Sequence, residues 1–209
     1  MITETGTVFY SRKIILASGI KETLPDVNEI SEYYGKSLFS CPYCDGWELR
    51  DRPLVLISED EYGFDMAKII SNWSKDLLIC TNGHHSLTDE EKSELARKGI
   101  QVIEKVIDRL VGRKGYLNKI VFEDGSHVKS LGGFIAPEWE HATSFGDLFG
   151  CEINDMGSYV VDEFGRTSVD QIYAAGDTSI VAPSQQIIAA AEGSRAAIGV
   201  NIDLTYEDF

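Results

Sequence analysis

Two cysteines separated by two residues, Cys41 and Cys44, are the part of this sequence that most directly indicates chemistry. They lie in the stretch FSCPYCDGWELR, in which Asp45 directly follows the second cysteine. Pro42 and Asp45 are typical of the first turn of a helix, and a helix N-terminus lowers the pKa of a thiol and favours the nucleophilic thiolate. Because exchange with an external disulfide needs such a thiolate and a second thiol behind it, the pattern favours a redox-active pair.

A zinc site and a pair of unreactive thiols are the alternatives to a redox role. Zinc needs four ligands, and Cys80 with His84 or His85 could complete a set with the cysteine pair. Cys80 ends an apolar run, however, where a cysteine is more often a small core residue. We therefore predict no metal site. Spacing alone does not separate reactive from unreactive thiols, so the surrounding motifs have to decide between them.

The composition is that of an ordinary folded protein, with 209 residues of which 43% are hydrophobic and 25% charged. The formal net charge of -15 would repel nucleic-acid phosphates and anionic lipid, so neither is an expected partner. No apolar run approaches the roughly 20 residues that span a bilayer, and the first residues lack a signal-peptide pattern. We predict a cytoplasmic protein without membrane segments.

The elements that would position the cysteines alternate between strands and helices. Apolar runs at 53–57 and 76–80 are typical of buried strands, and a helix is predicted between them over 65–73. A second helix is predicted in LTDEEKSELARKG, with Thr88 as the N-cap of a capping box. Strands and helices that alternate at this length indicate parallel βαβ units.

The remaining segments supply shorter strands and one long helix. TVFY and KIILASG near the N-terminus are strand-like, and the stretch from Val102 to Phe134 is predicted to form an antiparallel meander with an Asp-Gly hairpin turn at 124–125. A helix of small residues is predicted from about 184 to 202. The predicted fold is α/β: a three-layer domain of the nucleotide-binding type, whose parallel sheet carries the meander.

Two longer motifs connect the cysteine pair with a known family. CPYCDGWE and TSVDQIYAAGDTSIVAPSQQIIAAAEGSRAA resemble the low-molecular-weight thioredoxin reductase family of flavoproteins and its disulfide oxidoreductase relatives. The resemblance implies that Cys41 attacks the substrate disulfide, that Cys44 faces the flavin and takes its electrons, and that Asp45 protonates the leaving thiolate. It also implies a homodimer that acts on a thioredoxin-like protein or a small-molecule disulfide.

The resemblance further implies FAD as the cofactor and identifies the residues that would contact it. Gly19 closes an ASG turn that is similar to the ATG turn of the family, and Gly176 and Asp177 match its GD motif, whose Asp holds the ribityl and phosphate region of FAD. Gln185 and Gln186 stand where the family has an Arg-Gln pair, at the start of the last helix under the isoalloxazine ring. A helix N-terminus there would stabilise negative charge on the reduced flavin.

The family also has a G-x-G-x-x-G loop for the FAD pyrophosphate well ahead of the cysteine pair, and this sequence has no such loop. We therefore expect an incomplete FAD-binding lobe. The predicted domains are a remnant of the FAD domain at 1–30, a pyridine-nucleotide-type domain with the C-x-x-C at 31–150, and the C-terminal part of the FAD domain at 151–209. The alternative is a truncated, non-catalytic nucleotide-fold module that acts by protein association.

The region that would bind NADPH departs from the family. In place of a glycine-rich turn after the strand at 53–57, this chain has SEDEYG at 58–63, with three carboxylates. After the next strand, TNGHH at 81–85 replaces the basic cluster for the 2′-phosphate. Because carboxylates repel phosphates, we expect the nucleotide-type fold to be retained without ordinary NADPH binding.

Overall fold

The computed structural model describes residues 2–180 and 184–209, and it divides the chain into two compact units. The discontinuous unit combines residues 1–21 with 139–209, and the continuous unit comprises residues 22–138. The functional domains that the sequence assigns to 1–30, 31–150 and 151–209 stay a prediction. No helix among the described residues is long and apolar enough to cross a membrane.

The helices and strands are numbered in chain order. The strands are β1 (Ile14–Leu16), β2 (Ile20–Thr23), β3 (Leu38–Phe39), β4 (Leu54–Ile57), β5 (Leu77–Cys80), β6 (Gln101–Ile103), β7 (Ile107–Arg113), β8 (Tyr116–Phe122), β9 (His127–Lys129), β10 (Gly133–Ile135), β11 (Glu138–His141) and β12 (Ile172–Ala174). The α-helices are α1 (Ile30–Tyr33), α2 (Pro42–Leu49), α3 (Gly63–Ile70), α4 (Asp89–Arg97), α5 (Phe145–Phe149) and α6 (Gln186–Asp208). A 3₁₀ turn covers Gly176–Thr178.

The continuous unit is built on a five-stranded parallel sheet with the order β3-β10-β4-β5-β6. No residue of β4 is more than 1% exposed, as expected for a parallel strand that is covered on both faces. Leu54 and Leu56 belong to the cluster that α3 and α4 cover, whereas Val55 and Ile57 belong to the cluster that the meander covers. The predicted α/β fold with three layers is therefore confirmed.

Helix α4 begins as the sequence predicts. The Thr88 side chain accepts a hydrogen bond from the Glu91 backbone N–H at 3.3 Å, and the Glu91 carboxylate accepts one from the Thr88 N–H at 2.8 Å. These reciprocal bonds satisfy N–H groups that have no partner inside the helix. The capping box is thus confirmed, and it fixes the start of α4 after the β5 turn.

The meander is shorter than predicted. It consists of β7, β8 and β9, and the predicted Asp-Gly turn closes the β8–β9 hairpin, where the Gly125 N–H donates to the Phe122 carbonyl at 2.9 Å. Val102 and Phe134, at the predicted ends of the meander, instead lie in the parallel strands β6 and β10. Short apolar runs show the same periodicity in both kinds of sheet, so the sequence pattern did not separate them.

The discontinuous unit pairs β1 with β12 in parallel, so that Ile14 aligns with Ile172. Helix α6 begins two residues later than the predicted 184 and continues to Asp208 rather than ending near 202. The predicted strand at TVFY is wrong, since only Val8 forms an isolated bridge, to Ile2. Strands β2 and β11 form a separate two-stranded sheet.

Candidate functional site

The cysteine pair lies at the N-terminus of α2, as predicted. Cys41 is the N-cap residue, Pro42 is the first helical residue, and the Cys41 carbonyl accepts the N–H groups of Cys44 and Asp45 at 3.1 and 3.2 Å. The two cysteines form a disulfide with their Cα atoms 5.3 Å apart. Cys41 is half-buried and Cys44 is exposed within the described residues, so the disulfide is open to exchange at a position that favours a thiolate.

Asp45 is the acid that stands beside this disulfide. Its side chain is half-buried in the first turn of α2. Burial raises the pKa of the Asp45 carboxyl, and the negative charge of Glu48 raises it further. A carboxyl whose pKa is raised can hold a proton at a higher pH than an exposed aspartate, and this is what a proton donor to a leaving thiolate requires.

Gly46 sets the position of the disulfide helix. It is buried, and a Cβ added there would lie 2.5 Å from Cδ1 and Nε1 of the Trp73 indole. The segment after α3 that carries Trp73 is also tied to the end of α2, because the Asp51 N–H donates to the Trp73 carbonyl at 3.0 Å. Only glycine allows this close approach, so the G of the CPYCDGWE motif has a packing reason within the continuous unit.

A second group next to the pair was missed by the sequence analysis. The Tyr34 hydroxyl donates to the Glu22 carboxylate and is hydrogen-bonded to Oγ of Ser40 at 3.0 Å. Burial raises the pKa of Tyr34 to about 12, with the Glu22 hydrogen bond as the next cause. Ser40 directly precedes Cys41, so these hydrogen bonds position the residue that leads into the disulfide. No motif marks a tyrosine at this distance, and the sequence therefore carried no signal for it.

The other two cysteines, Cys80 and Cys151, are buried free thiols. Cys80 is fully buried at the end of β5, and burial raises its pKa to about 12, so its thiol stays protonated. Within the described ranges 2–180 and 184–209, no group of three or more His, Cys, Asp or Glu residues is placed to hold a metal ion. In this structure the two cysteines that a zinc site would need, Cys41 and Cys44, are joined to each other.

The predicted flavin contacts meet at the carboxyl ends of β1 and β12. The Gly19 N–H donates to Oγ1 of Thr178 at 2.9 Å, which ties the ASG turn to the 3₁₀ turn that contains Gly176 and Asp177. Gly19 and Gly176 both have a positive φ, 73° and 71°. A Cβ added at Gly176 would lie 3.3 Å from that of Ala189 in α6. Gly176 therefore packs closely against α6, whereas a Cβ at Gly19 would meet nothing within 4 Å. The open backbone at Gly19 fits one side of a flavin site.

The two glutamines stand at the start of α6. Gln185 is the N-cap residue, and its carbonyl accepts the N–H groups of Ile188 and Ala189, both at 3.0 Å. Gln186 is the first helical residue and is exposed. The structure therefore places both at a helix N-terminus, which favours negative charge nearby. Residues 181–183 of the same motif lie outside the described residues.

Comparisons with known proteins agree with this geometry. A family model described as pyridine nucleotide-disulphide oxidoreductase matches residues 3–193. One similar solved structure is TrxB from Bacillus anthracis, which is assigned as a thioredoxin reductase. It is 46% identical to this chain and superposes with a TM-score of 0.93, and the match covers 100% of this chain and 70% of the TrxB chain.

Two curated fungal proteins show the same relationship at lower identity. A protein of Arthroderma benhamiae assigned as a thioredoxin reductase is 25% identical over 98% of this chain and 57% of its own length. Thioredoxin reductase sirT of Leptosphaeria maculans is 27% identical over 95% and 64%. The chain thus spans less than two thirds of the length of these curated relatives. From the matched model, the related proteins and the disulfide geometry together, we conclude that this chain belongs to the pyridine nucleotide-disulphide oxidoreductase family, among its thioredoxin reductase-like members.

Proposed function

We propose that this chain carries the disulfide centre of a thioredoxin reductase-like flavoprotein, which passes electrons from FAD through Cys41 and Cys44 to a disulfide substrate. The observation that carries the proposal is the disulfide itself, which joins the N-cap of α2 to its first turn beside the half-buried Asp45. The proposed substrate is a thioredoxin-like protein or a small-molecule disulfide. The proposed assembly is a cytoplasmic homodimer.

The chemistry of the reduced pair follows from its position. The Cys41 thiolate, at the N-cap, attacks one sulfur of the substrate, which forms a mixed disulfide and releases the first substrate thiolate. Asp45 gives that thiolate a proton. Cys44 then loses its proton and attacks the sulfur of Cys41, which restores the protein disulfide and releases the second substrate sulfur as a thiolate that takes up that proton. The net change is oxidation of two cysteine thiols and reduction of one substrate disulfide.

Gly19, Gly176 and Asp177 are the residues that would hold the flavin, together with the glutamines that begin α6. Reduced FAD, when bound, would supply the two electrons that return the protein disulfide to the dithiol. The glycines would let the backbone approach the cofactor closely, and the N-terminus of α6 would stabilise negative charge on the reduced flavin. Asp177 contributes an acceptor for hydroxyl groups of the cofactor.

The test uses the reduced chain and a chromogenic disulfide, 5,5′-dithiobis(2-nitrobenzoate). After removal of the reductant, the wild-type chain should release two equivalents of thionitrobenzoate rapidly and keep none bound. The variant Cys44→Ser should release one and keep one as a mixed disulfide, because the resolving thiol is gone. The variant Cys41→Ser should react slowly, since the attacking thiolate is gone.

A matched control is Cys151→Ser, which removes a buried thiol outside the pair and should behave as the wild-type chain does. In the complete flavoprotein, both pair variants should lose catalytic disulfide turnover. Retained turnover in either variant would sink the assignment. Equal reaction rates for Cys41→Ser and wild type would show that Cys41 is not the attacking residue.

A second candidate function, a non-catalytic nucleotide-fold module that acts by protein association, is favoured by the acidic turn after β4. The same experiment separates the two. A purely structural module predicts that the reduced pair transfers its electrons to the chromogenic disulfide no faster than an ordinary exposed dithiol does.

A further inference from the structure

The turn between β4 and α3 is where the fold of the continuous unit would receive a dinucleotide. In nucleotide-binding α/β folds, the phosphates sit at the carboxyl ends of parallel strands, against the backbone N–H groups of the next helix. Here β4 ends at Ile57, and α3 begins at Gly63. The intervening residues determine whether that N-terminus is free for a phosphate.

Asp60 places its own carboxylate on this helix N-terminus. Its Oδ1 atom accepts the Tyr62 backbone N–H at 3.1 Å and the hydroxyl of the buried Ser58 at 3.0 Å. Tyr62 is the N-cap residue of α3. The side chain therefore takes an N–H group that a bound phosphate would use, and it puts a negative charge in the same place.

Glu59, also in the turn after β4, is hydrogen-bonded to a residue of the turn after β5. Its Oε1 atom accepts a hydrogen bond from Nδ2 of Asn82 at 2.7 Å, and Oδ1 of Asn82 accepts the Ile107 N–H at 2.9 Å. Asn82 lies in the turn after β5 and has a positive φ of 50°. The carboxyl ends of two neighbouring strands are thus bridged by side chains, with a second carboxylate held between them.

Lys92 and His85, which lie near the turn after β5, both face a carboxylate of the protein. Oε1 of Glu104 forms an ion pair with Nζ of Lys92 at 2.5 Å and lies 3.1 Å from Nδ1 of His85. The contact with Lys92 lowers the pKa of Glu104, so this carboxylate stays charged near neutrality. A 2′-phosphate would therefore compete with Glu104 for Lys92 and His85.

From these contacts we infer that Asp60 and Glu59 exclude pyridine nucleotides. The continuous unit then binds neither NADPH nor NADH and serves as a scaffold for α2, which carries the disulfide. Gly63 supports the scaffold role, because a Cβ there would lie 2.8 Å from Oγ of Ser58. This glycine is needed for packing of α3 against the β4 turn, independently of any phosphate.

The experiment is a fluorescence titration of the wild-type chain with NADPH and with NADH, which measures binding without a flavin or a disulfide substrate. We expect no saturable binding up to millimolar nucleotide. The double variant Glu59→Ala/Asp60→Gly should bind NADPH at least about tenfold more tightly than wild type, because it removes two like-charge contacts with the phosphates. Asp60→Asn keeps both hydrogen bonds at the turn and should show a smaller gain.

Glu90→Ala/Glu94→Ala is the matched control, since it removes two exposed carboxylates of α4 and changes the net charge equally. It should bind no better than wild type. Ordinary NADPH binding by the wild-type chain would overturn the inference. Absence of any gain in both Asp60 variants, with native circular dichroism, would overturn the assignment to these carboxylates. Either result is independent of the thionitrobenzoate assay for the disulfide.

Discussion

Replacing Gly46 by alanine should loosen the helix that carries the disulfide. The added methyl group would lie 2.5 Å from the Trp73 indole, so helix and ring have to separate by about 0.9 Å to reach ordinary contact. Overpacking of this kind costs about 1–3 kcal/mol, and the better helix propensity of alanine returns about 1 kcal/mol. We expect a net loss of up to about 2 kcal/mol in the free energy of unfolding.

Gly193→Ala in α6 is the matched comparison, because a Cβ there meets nothing within 4 Å. It should gain about 1 kcal/mol from helix propensity alone. Urea unfolding followed by circular dichroism at 222 nm measures both changes, with each transition fitted separately if the two units unfold independently. If Gly46→Ala gains as much stability as Gly193→Ala, the contact with Trp73 does not constrain α2.

Two carboxylates should give pH profiles of opposite sign. Asp45→Asn should stabilise the protein near neutrality, because burial raises the pKa of Asp45 and disfavours its charged form. In thermal melts this gain in stability should vanish below about pH 4. The same variant should reduce the substrate disulfide more slowly, because it lacks the proton donor. Asp203→Asn should cost about 1 kcal/mol near neutrality, since Asp203 accepts two hydrogen bonds from Arg166 at 2.7 and 2.8 Å. The Arg166 contact, followed by that of Tyr173, lowers the pKa of Asp203, so this difference should persist above about pH 4 and fade in stronger acid. A pH-independent difference for either variant would contradict these assignments.

The parallel sheet could be predicted from sequence because its signals are local and agree with one another. The β4 run is apolar at every position, and the Thr88 capping box fixes the start of α4 without reference to distant residues. The ends of the meander could not be predicted, because Val102 and Phe134 pair with strands that are distant in sequence, and local periodicity does not identify such partners.

Some features of the candidate site could likewise be predicted from the sequence, and others could not. The spacing of Cys41 and Cys44 with Pro42 between them indicates both the helix start and the possible disulfide. The carboxylates after β4 were visible in the sequence, but the N–H that Asp60 accepts depends on how the turn folds. The Tyr34 network joins residues that carry no common motif, so only the folded chain brings them together.

The interruption of the discontinuous unit by the continuous one has a consequence for synthesis on the ribosome. All strands of the five-stranded sheet lie between residues 38 and 135, so that core can close while the last part of the chain is still being made. Strand β1 has to wait, because its partner β12 begins only at Ile172. Strand β1 therefore stays without this partner for longer during translation than the strands of the five-stranded sheet do.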